Sequence, residues 1–472
     1  MMLKDSFIKK YNNHLFSWYD FLYSLFFVIV LPNFLLWVVA YFFGLARPLL
    51  NFDYIPVFIL IIWNIRVCKI LAGMLFISMA LIDILMLVVQ IFPFMDFSAV
   101  IYFFPFLLDA PLRYLIFCIF VCVYIFIMPF ILNKVALYLK IPKVSILFCC
   151  ILILMCYPFK DLMYKDARLE FFANDNFYYF HSQLILYLEN HHNDFTSLAR
   201  IVPTLKTNQS EYATKFLHQP FSNKILLIIA ESWGVAKKPK VQQTMLKKIY
   251  DEKDRFEFIQ DGHLKFRGAT VQGELRELCQ FNVEDGFALR KLSAEKFITC
   301  LPNQLKQQGY RTVAMHGTSG QMYDRYDWYQ KAGFKQLIFT ENLFGLKRCH
   351  AFKGVCDSEL FPQVSKVFGQ SNHQKVFFYW LTLTSHSPFP ESDMVNPRLD
   401  CEKFNIYKGD ICNNMRLETQ FFDNLAELIK QPEMKGVEVI VVGDHMPPIL
   451  SNVPLLEHFR WNEVGWLHFK IK

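Results

Sequence analysis

The sequence predicts an N-terminal bundle of about five membrane-spanning helices, followed by an α/β domain with a mainly parallel sheet. Of its 472 residues, 54% are hydrophobic and 17% aromatic, and the apolar residues concentrate in the first 160 positions. Beyond them, short apolar runs alternate with helical stretches, a pattern typical of parallel sheets covered by helices. We therefore expect a transmembrane domain at residues 1–160, an amphipathic connector at the membrane surface at 161–222, and an exported globular domain at 223–472.

Five apolar stretches are candidate spans, since a helix needs about 20 apolar residues to cross a bilayer. They are Phe21 to Gly44, Tyr54 to Ile65, Ile70 to Met95, Leu112 to Leu132 and Val144 to Phe159. The second reaches that length only if residues 49–56 join it. Asp83, inside the third, is a candidate polar contact for a lipid head group or for another helix.

The basic residues predict the orientation, because short cytoplasmic loops are enriched in lysine and arginine. With the N-terminus inside, the inner loops 66–69 and 133–143 hold five basic residues, whereas the outer loops hold Arg47 and three acids. An odd number of spans then exports everything after Phe159. We expect a multi-pass protein of the cytoplasmic (inner) membrane with its globular domain on the periplasmic or extracellular side.

The stretch Phe97 to Leu108, FSAVIYFFPFLL, is strongly aromatic but too short to cross a bilayer. Such a segment can lie at the level of the lipid head groups. The alternative is a buried loop. We favour the interfacial interpretation.

Four apolar runs of the globular domain end in residues that can do chemistry. The run Ile225 to Ala230 precedes Glu231, and later runs precede His316, His386 and the pair Asp444–His445. Because the carboxyl ends of parallel strands meet at one edge of a sheet, we expect these side chains to form one site. The simpler alternative for Glu231 is that it caps the next helix.

Glu, Asp and His are suitable ligands for a divalent ion such as Zn²⁺ or Mn²⁺, with Mg²⁺ also possible. Thr270 follows a Gly-Ala turn and precedes the predicted helix ELRELC. A hydroxyl at a helix N-terminus gains from the helix dipole once it is ionised, and metal coordination activates it further. Threonine is also a common N-cap, and the two roles are compatible.

The exported part contains six cysteines, and an even number in an oxidising compartment suggests three disulfides. Their spacing favours the local pairs Cys279–Cys300, Cys349–Cys356 and Cys401–Cys412. No C-x-x-C pair is present, which disfavours a thiolate zinc site. The charge balance, 49 basic against 42 acidic residues, gives no reason to expect a nucleic-acid partner.

A set of motifs in chain order resembles the sulfatase-like branch of the alkaline phosphatase superfamily. They are IIAES at 228–232, GAT-x-x-GE at 268–274, HG at 316–317, R-x-x-x-Y-x-x-x-GF at 325–334, SHSPF at 385–389 and GDH at 443–445. With the apolar N-terminal part, the chain resembles lipoteichoic acid synthases, phosphoglycerol transferases and lipid A phosphoethanolamine transferases.

This resemblance implies that Thr270 is the covalent nucleophile and that Glu231, Thr270, Asp444 and His445 surround the metal. It also implies that Arg325 and His386 hold the phosphate and head group, with His386 as a proton donor or acceptor. Tyr323 and His316 are further candidates for substrate binding.

Two departures from the family's patterns concern the substrate. The sulfatase nucleophile signature C/S-x-P-x-R is absent at Thr270, and Tyr323 stands where lipoteichoic acid synthases carry tryptophan. The first departure disfavours hydrolysis of sulfate esters. The second leaves the identity of the donor head group undecided.

The expected activity is transfer of glycerol phosphate or phosphoethanolamine from a membrane phospholipid to an extracytoplasmic glycan or lipid. Two alternatives remain. One is an ester hydrolase of the same superfamily, and the other is a catalytically silent membrane scaffold.

Overall fold

The computed structural model describes residues 18–43, 45–91, 97–105, 112–138, 141–163, 178–190, 202–208, 210–283, 286–371, 374–449 and 455–472. The chain divides into two compact units. We name residues 1–91 and 116–195 the helical unit, and residues 92–115 and 196–472 the sheet unit.

The α-helices are α1 (Trp18–Leu25), α2 (Leu31–Phe43), α3 (Ile55–Ile62), α4 (Arg66–Ile91), α5 (Phe97–Phe103), α6 (Leu112–Tyr138), α7 (Lys143–Leu154), α8 (Gln183–Asn190), α9 (Pro239–Met245), α10 (Lys247–Asp251), α11 (Thr270–Cys279), α12 (Leu301–Gln307), α13 (Arg325–Ala332), α14 (Asp357–Gly369) and α15 (Asp410–Ile429). The strands are β1 (Leu50–Asn51), β2 (Phe180–His181), β3 (Leu205–Thr207), β4 (Lys224–Ala230), β5 (Gly234–Ala236), β6 (Phe256–Lys265), β7 (Phe281–Val283), β8 (Arg311–His316), β9 (Gln336–Ile338), β10 (Val376–Leu381), β11 (Val437–Gly443) and β12 (Phe459–Ile471).

Three helical stretches are long and apolar enough to cross a membrane: Trp18–Tyr41, Arg66–Gln90 and Cys118–Tyr138. They correspond to the first, third and fourth predicted spans. The second and fifth are shorter apolar helices, Phe52–Ile62 and Lys143–Phe159. The total of five therefore stays a prediction.

Asp83 contacts another part of the helical unit. Arg47 and Asp83 form a buried ion pair with Nη2 and Oδ2 2.7 Å apart. The same carboxylate accepts hydrogen bonds from Asn51, Tyr54 and Gln183. Because each buried charge is satisfied by several partners, this cluster ties α4 to the residues before α3 and to α8.

The connector also contributes to the helical unit. Strands β1 and β2 pair in parallel, with Leu50 beside Phe180 and Asn51 beside His181. Residues 178–190 therefore pack with the apolar helices, so the structural unit extends past the predicted boundary at residue 160.

The sheet unit is built on a mixed sheet of order β5-β12-β11-β4-β10-β8-β9, with β6 pairing along β12. The five strands β11, β4, β10, β8 and β9 run parallel, each to its neighbours. Strand β12 runs antiparallel to β11, β5 and β6. The apolar runs identified in the sequence form the central parallel strands, whereas the antiparallel part, whose strand β6 is largely exposed, was not predicted.

Helices cover both faces of this sheet, because successive side chains of a strand point to opposite faces. On β10, Trp380 packs against Phe361 of α14 and Phe421 of α15. Its neighbour Tyr379 packs against Phe334, which follows α13. This layering agrees with the predicted α/β architecture.

The three predicted disulfides are confirmed. They join Cys279 to Cys300, Cys349 to Cys356 and Cys401 to Cys412.

The aromatic stretch between the third and fourth predicted spans contributes α5 to the sheet unit. Ala99 is fully buried in the main core of that unit, whereas Val100, Ile101 and Phe104 are exposed. The helix therefore has one buried face and one exposed face. The buried face agrees with the alternative that this stretch is a buried loop. Residues 106–108 of the stretch lie outside the described residues.

We expect Asp83→Ala to lower the free energy of unfolding of the helical unit by about 3–5 kcal/mol, because it leaves the buried Arg47 charge unpaired. Thermal unfolding of the detergent-solubilised full chain measures this. The double variant Arg47→Met with Asp83→Leu removes both charges and should recover most of the loss. If Asp83→Ala were as stable as the wild type, the buried Arg47–Asp83 pair would not stabilise the helical unit, contrary to this prediction.

Candidate active site

The sheet register brings two of the predicted strand ends together. Strands β4 and β11 are parallel neighbours, and Ala230 pairs with Gly443. Each strand is followed at once by acidic residues, Glu231 on one side and Asp444 on the other. The two carboxylates therefore emerge side by side from the carboxyl edge of the sheet, as the sequence predicted.

Ligand atoms of Glu231, Asp444 and His445 all lie within 4.8 Å of one another. The Thr270 hydroxyl joins them from the first residue of α11. Its Oγ1 is 3.2 Å from Glu231 Oε2 and 3.3 Å from His445 Nε2. The four residues predicted to surround a metal thus form one cluster.

Hydrogen bonds fix one oxygen of Asp444 and leave the other open. Oδ1 accepts from the backbone N–H of Ser232 at 2.7 Å and of His445 at 2.6 Å. Oδ2 is buried, has no hydrogen-bond partner among the described residues, and lies 3.3 Å from His445 Nε2. A buried carboxylate oxygen without a donor, beside a second carboxylate, an imidazole and a hydroxyl, fits a divalent cation.

The electrostatics of the cluster favour a cation or protons. Burial, and then the neighbouring Glu231 charge, raise the pKa of Asp444 to about 7. Burial alone would lower the pKa of His445, but the carboxylates of Asp444 and Glu231 outweigh it and raise that pKa. At neutral pH the cluster therefore holds protons that a bound metal would displace.

Two residues of α11 hold this helix against the loop after β11. Arg276 is buried and donates to the carbonyl oxygens of Gly443 at 2.8 Å and Asp444 at 3.3 Å. A Cβ on Gly273 would come within 2.9 Å of the Asp444 carbonyl oxygen. Only glycine permits this approach, which sets the distance between Thr270 and Asp444. The sequence analysis missed Arg276, whose partners are backbone atoms about 170 residues away in the chain.

Arg325 is bound on one side and open on the other. Its Nε and Nη2 donate to the Glu274 carboxylate at 3.0 and 2.7 Å. That carboxylate also accepts from the hydroxyls of Tyr329 and Tyr379. The remaining nitrogen, Nη1, is buried and has no hydrogen-bond partner among the described residues. Glu274 thus anchors a guanidinium that keeps two N–H groups for a ligand, a role the sequence analysis did not assign to it.

The other predicted substrate residues surround Arg325. The Tyr323 ring lies 5.0 Å from Arg325 Cζ. His316 is buried with Nδ1 2.9 Å from the Leu381 carbonyl oxygen. Burial and the charges of Arg325 and His386 lower the pKa of His316 well below its usual value, so it is neutral at pH 7.

His386 is partly buried, and its ring packs edge-on against Phe352 with centroids 4.7 Å apart. Its Nδ1 lies 2.8 Å from the Ser387 carbonyl oxygen. A ring fixed through Nδ1 in this way presents Nε2 as its exchangeable position.

We expect Gly273→Ala to weaken metal binding by about 10- to 100-fold, the usual cost of displacing groups that orient metal ligands. Titration calorimetry with Mn²⁺ or Zn²⁺ measures this. Gly369→Ala is the matched control, because a Cβ there meets only the flexible side chain of Glu433. Equal affinities in both variants would show that the approach of α11 does not define the site.

We expect the metal-free protein to lose thermal stability as the pH rises from about 5 to about 8. The folded-state pKa of Asp444, about 7, lies above its unfolded value of 3.8, so stability present at low pH is lost as the pH passes through the folded value. The raised pKa of His445 acts in the same direction. Melting curves with EDTA and with Mn²⁺ test this, and the metal should stabilise more at pH 8 than at pH 6. A metal-free melting temperature that rises with pH would contradict it.

Comparison with known proteins extends the motif evidence. The sulfatase family profile matches residues 285–465, which include His316, Arg325, His386, Asp444 and His445. Strand β4 and helix α11 come earlier in the chain and lie outside the match. A comparison with curated protein sequences finds no significant match.

Several solved structures are similar to part of this chain. The lipoteichoic acid synthase LtaP from Listeria monocytogenes is 14% identical, with a TM-score of 0.40 over 52% of this chain and 65% of that one. The Streptococcus pyogenes phosphoglycerol transferase GacH is 15% identical, with a TM-score of 0.37 over 52% of this chain and 67% of that one. The C-terminal periplasmic domain of EcEptC from Escherichia coli is 13% identical, with a TM-score of 0.35 over 56% of this chain and 76% of that one. The chain thus spans slightly less than two thirds of the LtaP structure.

The profile match covers the last four of the six motifs, from HG at 316–317 to GDH at 443–445, but not the motifs that contain Glu231 and Thr270. Residues 285–465, slightly less than two fifths of the chain, are therefore similar to the sulfatase family.

Proposed function

We propose that this protein is a metal-dependent phosphotransferase that moves glycerol phosphate or phosphoethanolamine from a membrane phospholipid to an extracytoplasmic glycan or lipid. The observation that carries the proposal is the position of Thr270. Its hydroxyl lies at the N-terminus of a ten-residue helix and within 3.3 Å of both Glu231 and His445. Ala269, and not Thr270, is the N-cap of this helix, so the position of the hydroxyl supports a role as nucleophile.

Glu231, Asp444, His445 and Thr270 would hold the divalent metal, Zn²⁺ or Mn²⁺. When bound, it would neutralise charge on the phosphoryl oxygens and favour ionisation of the threonine hydroxyl. Glu231 Oε2 is placed to accept the hydroxyl proton, 3.2 Å from Oγ1. Arg276, with its backbone hydrogen bonds, keeps Asp444 in register with α11.

In the first half-reaction, Thr270 Oγ1 forms a bond to phosphorus, and the bond from phosphorus to the diacylglycerol oxygen breaks. His386 gives a proton to that leaving oxygen. In the second half-reaction, His386 takes a proton from the acceptor hydroxyl, whose oxygen bonds to phosphorus as the bond to Thr270 breaks. The head group thereby passes to the acceptor, and Thr270 Oγ1 takes back the proton held by Glu231, which regenerates the threonine.

Arg325 Nη1 and the Tyr323 ring would bind the phosphorylated head group. The guanidinium is fixed by Glu274, so its open N–H groups need little reordering to meet a phosphate oxygen. Neutral His316 adds no charge to this region.

We place the sheet unit outside the cytoplasmic membrane, after five crossings within this sequence. Paired strands β1 and β2 require residues 50–51 and 180–181 to lie on the same side. Residues 97–105 and 196–472 belong to one unit and share a side too. Helix α8 has eight residues and a length of about 12 Å, which is too short to cross a bilayer by itself.

In the proposed arrangement, α3 would cross together with α4, and α7 would return the chain after α6 has crossed. The bilayer can thin locally around a short span such as Phe52–Ile62. With the first apolar stretch, these four helices give the predicted five, and the basic loops orient them.

Thr270 and its ligand partners are all present, which argues against a catalytically silent scaffold. A hydrolase of the same superfamily would differ only in using water as the acceptor, so detection of a transferred product is required.

We expect the Mn²⁺- or Zn²⁺-loaded full chain to gain the mass of one head group after incubation with vesicles of phosphatidylglycerol or phosphatidylethanolamine. Intact-protein mass spectrometry measures the adduct and names the donor. Thr270→Ala should show no adduct, whereas Thr270→Ser keeps a hydroxyl and should retain one.

The absence of any adduct with either lipid, despite bound metal, would contradict the transferase proposal. An adduct that disappears into free head group without any acceptor would favour the hydrolase alternative.

A further inference from the structure

We propose that Tyr102 and Phe103, in the loop between the third and fourth predicted spans, are positioning residues for head-group binding. They hold the turn Tyr323–Asp324 and, through it, Arg325. This inference rests on the proposed function, because it concerns residues that support the same head-group site.

The buried face of α5 forms an aromatic wall with the sheet unit. The Phe103 ring lies 5.2 Å from the Tyr323 ring and 5.4 Å from the Phe287 ring, centroid to centroid. Tyr102 packs on Phe103 at 5.1 Å and on Phe287 at 6.2 Å. Ala99, one turn earlier, is fully buried in the core and brings the helix close. The contacts of Phe103 with Tyr323 and with Tyr102 are edge-to-face, with ring planes at 83° and 87°, a geometry that fixes ring orientation.

The turn that this wall supports has an unfavourable backbone. Tyr323 and Asp324 are consecutive non-glycine residues in the left-handed region, with φ of 56° and 55°. Such conformations persist where surrounding contacts determine them, and they cluster at functional sites. The Asp324 carboxylate accepts the Arg290 backbone N–H. It also lies beside the Tyr102 hydroxyl, where burial and then this carboxylate raise the pKa of the phenol.

The turn leads directly into the head-group site. Arg325 follows as the first residue of α13, and the Tyr323 ring lies 5.0 Å from its Cζ. With Nε and Nη2 held by Glu274, the direction of the open Nη1 depends on where the turn places the Arg325 backbone. Tyr102 and Phe103 touch the supporting residues and act through them.

The same helix offers a matched control. Phe104 follows Phe103 in sequence and is 71% exposed. A Phe104→Ala variant removes an equal aromatic side chain from the same loop without touching the wall.

The test compares Phe103→Ala, Phe103→Leu, Tyr102→Phe and Phe104→Ala in the full chain, solubilised in detergent and loaded with Mn²⁺. Calorimetry with glycerol phosphate and with phosphoethanolamine gives head-group Kd values. Adduct formation on Thr270 from phosphatidylglycerol or phosphatidylethanolamine vesicles gives KM and kcat. Mn²⁺ affinity and melting temperature report on the fold and on the metal cluster.

We expect Phe103→Ala to weaken head-group binding and raise KM by about tenfold, as for a displaced charged hydrogen bond. Its kcat at saturation and its Mn²⁺ affinity should stay within about twofold of the wild type. Phe103→Leu should recover part of the loss, Tyr102→Phe should lose less than Phe103→Ala, and Phe104→Ala should match the wild type.

An unchanged Kd in Phe103→Ala, or an equal loss in Phe104→Ala, would overturn the inference. The inference would also be overturned if Phe103→Ala lowered only the fraction of active protein and left Kd and KM unchanged, because that result indicates a purely structural role. A wild type that binds neither head group would overturn it too. A wild type that binds a head group but forms no adduct would instead refute the transferase proposal, while the Kd comparison would still decide the inference.

Discussion

The candidate site depends on the close approach of helix α11 to the loop after β11. Thr270 lies at the start of that helix, and Asp444 lies in that loop, far away in sequence. Gly273 removes the side chain that would keep them apart, and Arg276 binds the loop's carbonyl oxygens. Without this approach, the Thr270 hydroxyl and the Asp444 carboxylate would lie too far apart to share a ligand.

That approach concentrates negative charge, which the rest of the site compensates. Two buried carboxylates side by side are unfavourable unless protons or a cation accompany them. A third buried acid nearby, Glu274, is satisfied differently, by Arg325 and two tyrosine hydroxyls. The site thus contains one acidic cluster suited to a metal and one neutralised pair whose open N–H groups suit a phosphate. A metal and a phosphate are the two groups that the phosphotransferase proposal requires.

The sequence predicted those features that local patterns encode. Continuous apolar runs identified β4, β8, β10 and β11, and the residues after β4 and β11 identified the cluster of Glu231, Asp444 and His445. Short cysteine spacings identified the disulfides, because nearby cysteines meet with little loss of chain entropy. These predictions succeed because strand ends and short loops are determined by neighbouring residues.

Features fixed by distant contacts could not be predicted in the same way. The partner of Asp83 is Arg47, which the sequence analysis placed in an outer loop. Strand β6 lacks a continuous apolar run because much of it is exposed, so the antiparallel part of the sheet escaped notice. The residues before Arg325 gave no sign of consecutive left-handed conformations, which tertiary packing imposes.

The sheet unit is discontinuous, and this has a consequence for biogenesis. Its first segment, α5, is synthesised about 90 residues before the rest of the unit begins at residue 196. The core around Ala99 can therefore close only after residues 116–195 of the helical unit have been made. Folding of the sheet unit thus has to wait for synthesis of the segment that interrupts it.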